Sequence, residues 1–232
     1  MKNIEPAANR ILAGLPPEDT AAICEASEVI ELTLGLQLEV GGEPISGVFF
    51  PLAGIASVVL VRGTQRVEVG LIGKEGVTGT ALALGATATP LDCFVQAAGR
   101  ALRLPTSAYR DLTARRPALR EQMLVFMLEF HLQLAETALA NARGRIDERL
   151  ARWLLMTHDR IGETTLNLTH EFLSQMLGVR RPGVTMALQS LEEQRVIRSQ
   201  RGRIVLLDRA GLIERAAGFY AAAPPPKLIP SV

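Results

Sequence analysis

Residues 168–207, LTHEFLSQMLGVRRPGVTMALQSLEEQRVIRSQRGRIVLL, constrain the fold of this chain more than any other stretch. Thr169 is a hydroxyl N-cap ahead of a short helix with apolar positions at Phe172, Leu173, Met176 and Leu177. Gly178 ends that helix. Pro182, whose ring presets φ, suits the first turn of a second helix. The second helix places Val184, Ala187, Leu188 and Leu191 on one apolar face. Two helices across a tight Gly-containing turn make a helix-turn-helix. Val196-Ile197-Arg198, a turn at Gln200-Arg201-Gly202 and Ile204-Val205-Leu206-Leu207 then predict a hairpin, which is a wing behind the two helices.

Once its core positions are assigned, the second helix has a face left over. Arg181, Thr185, Met186, Gln189 and Ser190 point outward. Polar side chains with one thioether suit the edges of a DNA groove better than a second protein core. Arg180, Arg181, Arg198, Arg201 and Arg203 supply charge for phosphates, which dominate affinity for nucleic acid. An ordinary helical hairpin with a solvated basic face shares the pattern. Charge along the chain favours the DNA reading. Residues 1–143 hold 12 Lys/Arg against 15 Asp/Glu, and residues 144–232 hold 13 against 9. The balance predicts a basic module attached to a neutral or acidic one.

The whole chain is long and apolar enough, at 232 residues and 48% hydrophobic, for two domains. The N-terminus lacks the apolar core of a secretory signal, and no apolar run is expected to span a membrane. Cys24 and Cys93 stand far apart without metal-ligand spacing, as expected of a reducing cytoplasm. Residues 9–26 are helical, interrupted by Pro16-Pro17. From Val29 to Leu104 short strands alternate with Gly-rich turns: 29–34, 48–51, 56–61, 67–72, 93–97 and 101–104. This spacing predicts a sandwich, barrel or roll. A helix of about 40 Å follows over residues 117–143. Met123, Met127, Phe130 and Leu134 repeat along it at coiled-coil-like spacing, while Leu124, Leu128, Leu132, Ala135 and Leu139 form a second apolar side. One side can cover the β-rich part; the other suits the same helix of a second copy, or burial within one large domain. A further helix over 145–160, with Ile146, Leu150, Trp153, Leu154 and Met156 inward, leads into the two-helix module. A last short helix is expected over 208–220.

In this order of parts the chain resembles the Crp/Fnr family of bacterial transcription regulators. The strongest stretches are residues 48–54, VFFPLAG, residues 68–76, EVGLIGKEG, and residues 168–191. The resemblance implies an α+β chain. Residues 1–116 would form a cyclic-nucleotide-binding-like β-roll (jelly roll) and 117–143 a dimerisation helix through Met123, Met127, Phe130 and Leu134. A winged helix-turn-helix would occupy 144–220, and 221–232 a tail. It implies a homodimer on a roughly palindromic operator, with half-sites about one helical turn apart. The expected DNA-binding residues are Thr169, Arg180, Arg181, Thr185, Met186, Gln189, Ser190, Arg201 and Arg203. Arg181 stands where the family places a base-contacting Arg, fit for a guanine O6 and N7. Thr169 stands where members touch a phosphate. Pro182 and Met186 replace a usual Glu and a second Arg, so a cytosine acceptor and a guanine donor are lost. Met186 can instead meet a thymine methyl, and Gln189 an adenine.

Departures elsewhere are informative. Members that bind cyclic nucleotides carry a Gly-Glu pair and later an Arg-Ser pair around the sugar phosphate. Here those positions are Gly79-Thr80 and Leu91-Asp92. The phosphate-pairing cation is missing and an acid stands beside its place, so cyclic AMP and cyclic GMP are not expected in the usual mode. Cys24 alone cannot hold an iron–sulfur cluster. His131, His158 and His170 offer no third ligand, and Cys93 suits a small core residue. No cofactor or metal is expected. Catalysis is not expected either, with no Ser/His/Asp or Cys/His grouping and no P-loop. The expected partners are double-stranded DNA and a second copy, with RNA polymerase as a candidate third and no membrane. The alternative is a ligand-binding or protein-interaction module whose winged helix binds a protein; steep salt dependence marks the DNA reading.

Overall fold

The computed structural model describes residues 6–220. These group into two compact units, one formed by residues up to 61 and 70–131, the other by 62–69 and residues from 132 onward.

In the first unit a 3-10 turn, Pro6–Ala8, leads into α1 (Arg10–Ala13) and α2 (Pro17–Glu25). Asn9 caps α1 through its side-chain oxygen, and its amide donates to the Pro51 and Gly76 carbonyls at 3.0 and 2.9 Å. Pro17 opens α2, where no N–H is needed. The strands are β1 (Glu28–Leu32), β2 (Gln37–Glu39), β3 (Gly47–Arg62), β4 (Gln65–Ile72) and β5 (Asp92–Pro105). They form one five-stranded sheet in the order β1-β5-β3-β4, with β2 also on β5. The pairs β1–β5 and β3–β5 are antiparallel.

Two expected breaks are absent. Residues 48–51 and 56–61 are one strand, β3, and 93–97 and 101–104 are one strand, β5. The reason is a glycine-built bulge. The β3–β5 register shifts three times between Pro51 and Ala56. Gly54 adopts φ 88°, and a Cβ on Gly99 would collide with the Ala53 carbonyl. Turn-like residues here kink paired strands without ending them. Phe50, Ile55, Leu71, Leu102 and Leu104 are fully buried.

After α3 (Thr106–Arg115), the long helix α4 runs from Pro117 to Arg143, the span expected from the sequence. Leu119, Met123 and Phe126 on its first half are buried. Gly76 leaves the space that the Phe126 ring fills. Contrary to the expectation from the apolar runs, α4 is long and apolar enough to cross a membrane, by length and composition alone. It carries Glu129 and Glu136 within its apolar stretch.

The second unit contains α5 (Ile146–Ile161), β6 (Thr165–Leu166), α6 (His170–Leu177), α7 (Arg181–Glu193), β7 (Ile197–Gln200), β8 (Arg203–Leu206) and α8 (Arg209–Arg215). The sheet order is β6-β8-β7, and β6 is a strand the sequence did not suggest. Leu150 and Leu154 of α5, Leu173 of α6, Val184, Leu188 and Leu191 of α7, and Leu212 of α8 form its core. Trp153 donates its indole N–H to Glu68 at 2.6 Å and meets the Phe172 ring edge-on, centroids 6.2 Å apart.

Candidate nucleic-acid interface

The two helices of the motif are held from three sides. Thr169 Oγ1 accepts the Phe172 N–H at 3.1 Å and so caps α6. Gly178, at φ 62°, ends α6 in the left-handed conformation that costs other residues most. Arg149 of α5 donates to the Leu177 carbonyl, one of the acceptors left open by the end of α6. At the far end of α7, Glu192 accepts the Ser199 N–H at 2.5 Å and ties the helix to β7. The Leu168 N–H donates to the Gly202 carbonyl at 3.1 Å, which ties the wing turn to the entry of α6.

On this frame the expected residues gather on one side of α7 and on the wing. Arg180 is the N-cap of α7 and Arg181 its first residue. Arg180, Arg181, Met186 and Gln189 are exposed, Met186 at 69%; Thr185 and Ser190 are half-buried. Thr169 is exposed at the start of α6. Arg201 and Arg203 flank Gly202, which turns the wing at φ 71°. Among the described residues, none pairs with the guanidinium groups of Arg180, Arg181, Arg201 or Arg203. Free guanidinium groups with exposed neighbours can fork onto phosphates and guanine edges.

Sequence reasoning missed three contributors. Arg149 and Leu177 are 28 residues apart, and no local pattern links them. Glu192, seven residues before Ser199, carries no local signal of its bond to β7. His170 read as a lone histidine, yet its Nδ1 lies 3.2 Å from Thr185 Oγ1, so it joins α6 to the reading face of α7.

The β-roll positions behave differently. Gly79 adopts φ 70° and donates its N–H to Glu39 Oε1 at 2.7 Å. Burial raises the Glu39 carboxyl above the ordinary range, against the lowering pull of the Gly79 and Thr78 hydrogen bonds. Asp92 accepts the Gly41 N–H at 2.8 Å. Cys93 is buried along β5, and its thiol is pushed well up, first by burial and then by Glu39 and Asp92. Such a thiol stays protonated and unreactive at neutral pH. Cys24 is half-buried, and its thiol too is raised by burial.

Along α4 the four seam residues separate. Met123 is wholly enclosed by its own chain, at 0% exposure, which leaves it no surface for a partner. Met127, Phe130 and Leu134 are half-buried, with Leu128 and Leu139 exposed beside them. His131 is exposed.

Residues 148–215 match the model of the Crp-like helix-turn-helix domain. The HTH-type transcriptional regulator Cmr of Mycobacterium tuberculosis (strain CDC 1551 / Oshkosh) is 25% identical over 211 residues, covering 88% of this chain and 82% of that protein. Among solved structures, a Crp/Fnr-family transcriptional regulator from Thermus thermophilus aligns with a TM-score of 0.67 at 22% identity, over 82% of this chain and 99% of that one. FixK2 from Bradyrhizobium japonicum aligns with a TM-score of 0.69 at 17% identity, over 85% and 98%. Residues 148–215 thus carry a Crp-like helix-turn-helix domain, and in the order β-roll, long helix and helix-turn-helix the chain is similar to regulators of the Crp/Fnr family.

Proposed function

We propose that this chain is a Crp/Fnr-type transcription regulator that works as a homodimer in the cytoplasm on a roughly palindromic operator, with half-sites about one helical turn apart. The carrying observation is the set of unpaired guanidinium groups, Arg180, Arg181, Arg201 and Arg203, around one exposed side of α7 and the wing. Arg181 reads a guanine, and Met186, Gln189 and Ser190 line the groove beside it. Thr169, Arg180, Arg201 and Arg203 meet phosphates. The dimer seam runs through Met127, Phe130 and Leu134, with Leu128 and Leu139 adding apolar surface. The working parts are the sensor-like roll (1–116), the helix (117–143) and the reading module (144–220); the expected tail, 221–232, lies outside the described residues. RNA polymerase is a further candidate partner, and the chain acts without catalysis.

Cyclic AMP does not gate this protein. Glu39 already takes the Gly79 N–H, no cation stands at Leu91, and Asp92 places an acid beside the phosphate's position. Titration calorimetry with cyclic AMP or cyclic GMP is expected to show no micromolar binding. The central test is selection of bound DNA from a random library with purified protein and no added ligand. Enrichment of a palindrome with the expected half-site spacing supports the reading. Failure to enrich any sequence overturns it.

A further inference from the structure

Thr185 stands in the middle of the reading face, between Arg181 one turn before it and Gln189 one turn after. Its hydroxyl has two neighbours inside the protein. The Arg181 carbonyl lies at 3.2 Å and accepts only, while His170 Nδ1, also at 3.2 Å, donates or accepts according to the ring tautomer. If the imidazole carries its proton on Nδ1, that N–H donates to the Thr185 oxygen and the hydroxyl proton goes to the Arg181 carbonyl. If the proton is on Nε2, the hydroxyl donates to His170. In both states the one hydroxyl proton is committed within the protein, and the oxygen is turned toward α6 and the helix's own backbone. The oxygen can still accept but has no proton to give, and the other branch of the side chain, the γ-methyl, is the apolar group it offers a partner.

We infer that Thr185 is a specificity-determining residue that reads the 5-methyl group of a thymine through its own methyl, its hydroxyl being held by His170 and the Arg181 carbonyl. This inference rests on the proposal that α7 reads DNA. A threonine on a reading helix ordinarily offers a donor, an acceptor and a methyl, and so discriminates weakly between bases. Removing the donor leaves apolar contact as its chief means of choice. Arg181 and Gln189 then supply the polar readout on either side, and a thymine is expected between the bases those two contact.

The test uses the full-length protein and the operator returned by random-library selection. Each thymine of a half-site is replaced in turn by deoxyuridine, which lacks only the methyl. For the wild type, one such replacement opposite Thr185 is expected to weaken binding about fourfold, the equivalent of leaving one methylene-sized apolar group in water. Thr185→Val keeps the methyl, removes the hydroxyl, and is expected to retain both the thymine preference and the deoxyuridine penalty. Thr185→Ser keeps the hydroxyl, removes the methyl, and is expected to lose that penalty at the one position while keeping those assigned to Met186. Thermal melts of both variants check that the fold is kept. The inference is overturned if Thr185→Val loses the preference while Thr185→Ser keeps it, since the hydroxyl would then be the reader. It is equally overturned if neither variant changes any deoxyuridine penalty. A library that returns no operator for the wild type is a different failure, and removes the DNA reading itself together with this inference.

Discussion

The helix-turn-helix module and the β-roll both hold charged groups, and they use them in opposite ways. Around α7 the cations are free: Arg180, Arg181, Arg201 and Arg203 have no partner among the described residues. In the roll the anions are occupied. Glu39 takes the Gly79 N–H and Asp92 takes the Gly41 N–H. An unspent charge on a rigid frame is ready for an external ligand, whereas a charge that already satisfies the backbone would have to give up that bond first. The contrast separates cations left open to a ligand from polar groups that hold the fold.

The largest expected effect tests the frame itself. Leu188 is almost fully buried beneath the reading face. Leu188→Ala should cost about 2–5 kcal/mol of stability by denaturant unfolding. It should also abolish selective DNA binding at temperatures where the variant begins to unfold. Next comes the free cation most directly tied to sequence. Arg181→Ala should weaken operator binding by about 1–3 kcal/mol and relax one position per half-site. Uniform weakening with the preference profile unchanged would move Arg181 into the class of phosphate contacts. Arg180→Ala should leave the preference profile alone and lower the salt slope of binding by about 1; an altered profile would blur the division of labour between the two arginines.

Two smaller effects sharpen the other side. Burial holds the Glu39 carboxyl above its ordinary pKa, so the folded chain keeps that proton more tightly than the unfolded chain does. The stability it contributes is therefore full at low pH and falls as pH rises through the raised value. Glu39→Gln should keep an acceptor for the Gly79 N–H and flatten that fall above the ordinary carboxylate range. Parallel denaturation curves of the two proteins across this range would instead mean that Glu39 titrates as in the unfolded chain. The least energetic test is chemical: a thiol reagent should modify half-buried Cys24 before Cys93, which should react only on unfolding. Labelling of Cys93 in the native protein would reopen a redox role for the roll.

The two regions also differ in how much of each is legible in the sequence. The span of α4, the caps Thr169 and Gly178, and the buried face of α7 follow from signals within a few residues, and all are present in the structure. The roll depends on register between distant strands. Gly54 and Gly99 read locally as breaks, and only their meeting across β3 and β5 turns them into a bulge within continuous strands. Glu39 and Gly79 are 40 residues apart, and no local periodicity announces their bond. Met123 shows the same limit on a helix. Its spacing is that of a seam residue, but the packing around it decides that it faces inward.

Trp153 is the one tryptophan of the chain. Its indole is fixed between the Glu68 carboxylate and the edge of Phe172, on the first helix of the reading motif. Intrinsic emission excited at the tryptophan band therefore originates from a single place, beside the first helix of the proposed DNA-reading motif. The protein thus contains its own optical probe. A change in emission wavelength or quenching on titration with operator would report on that helix and on the residue 62–69 hairpin tip without any attached dye.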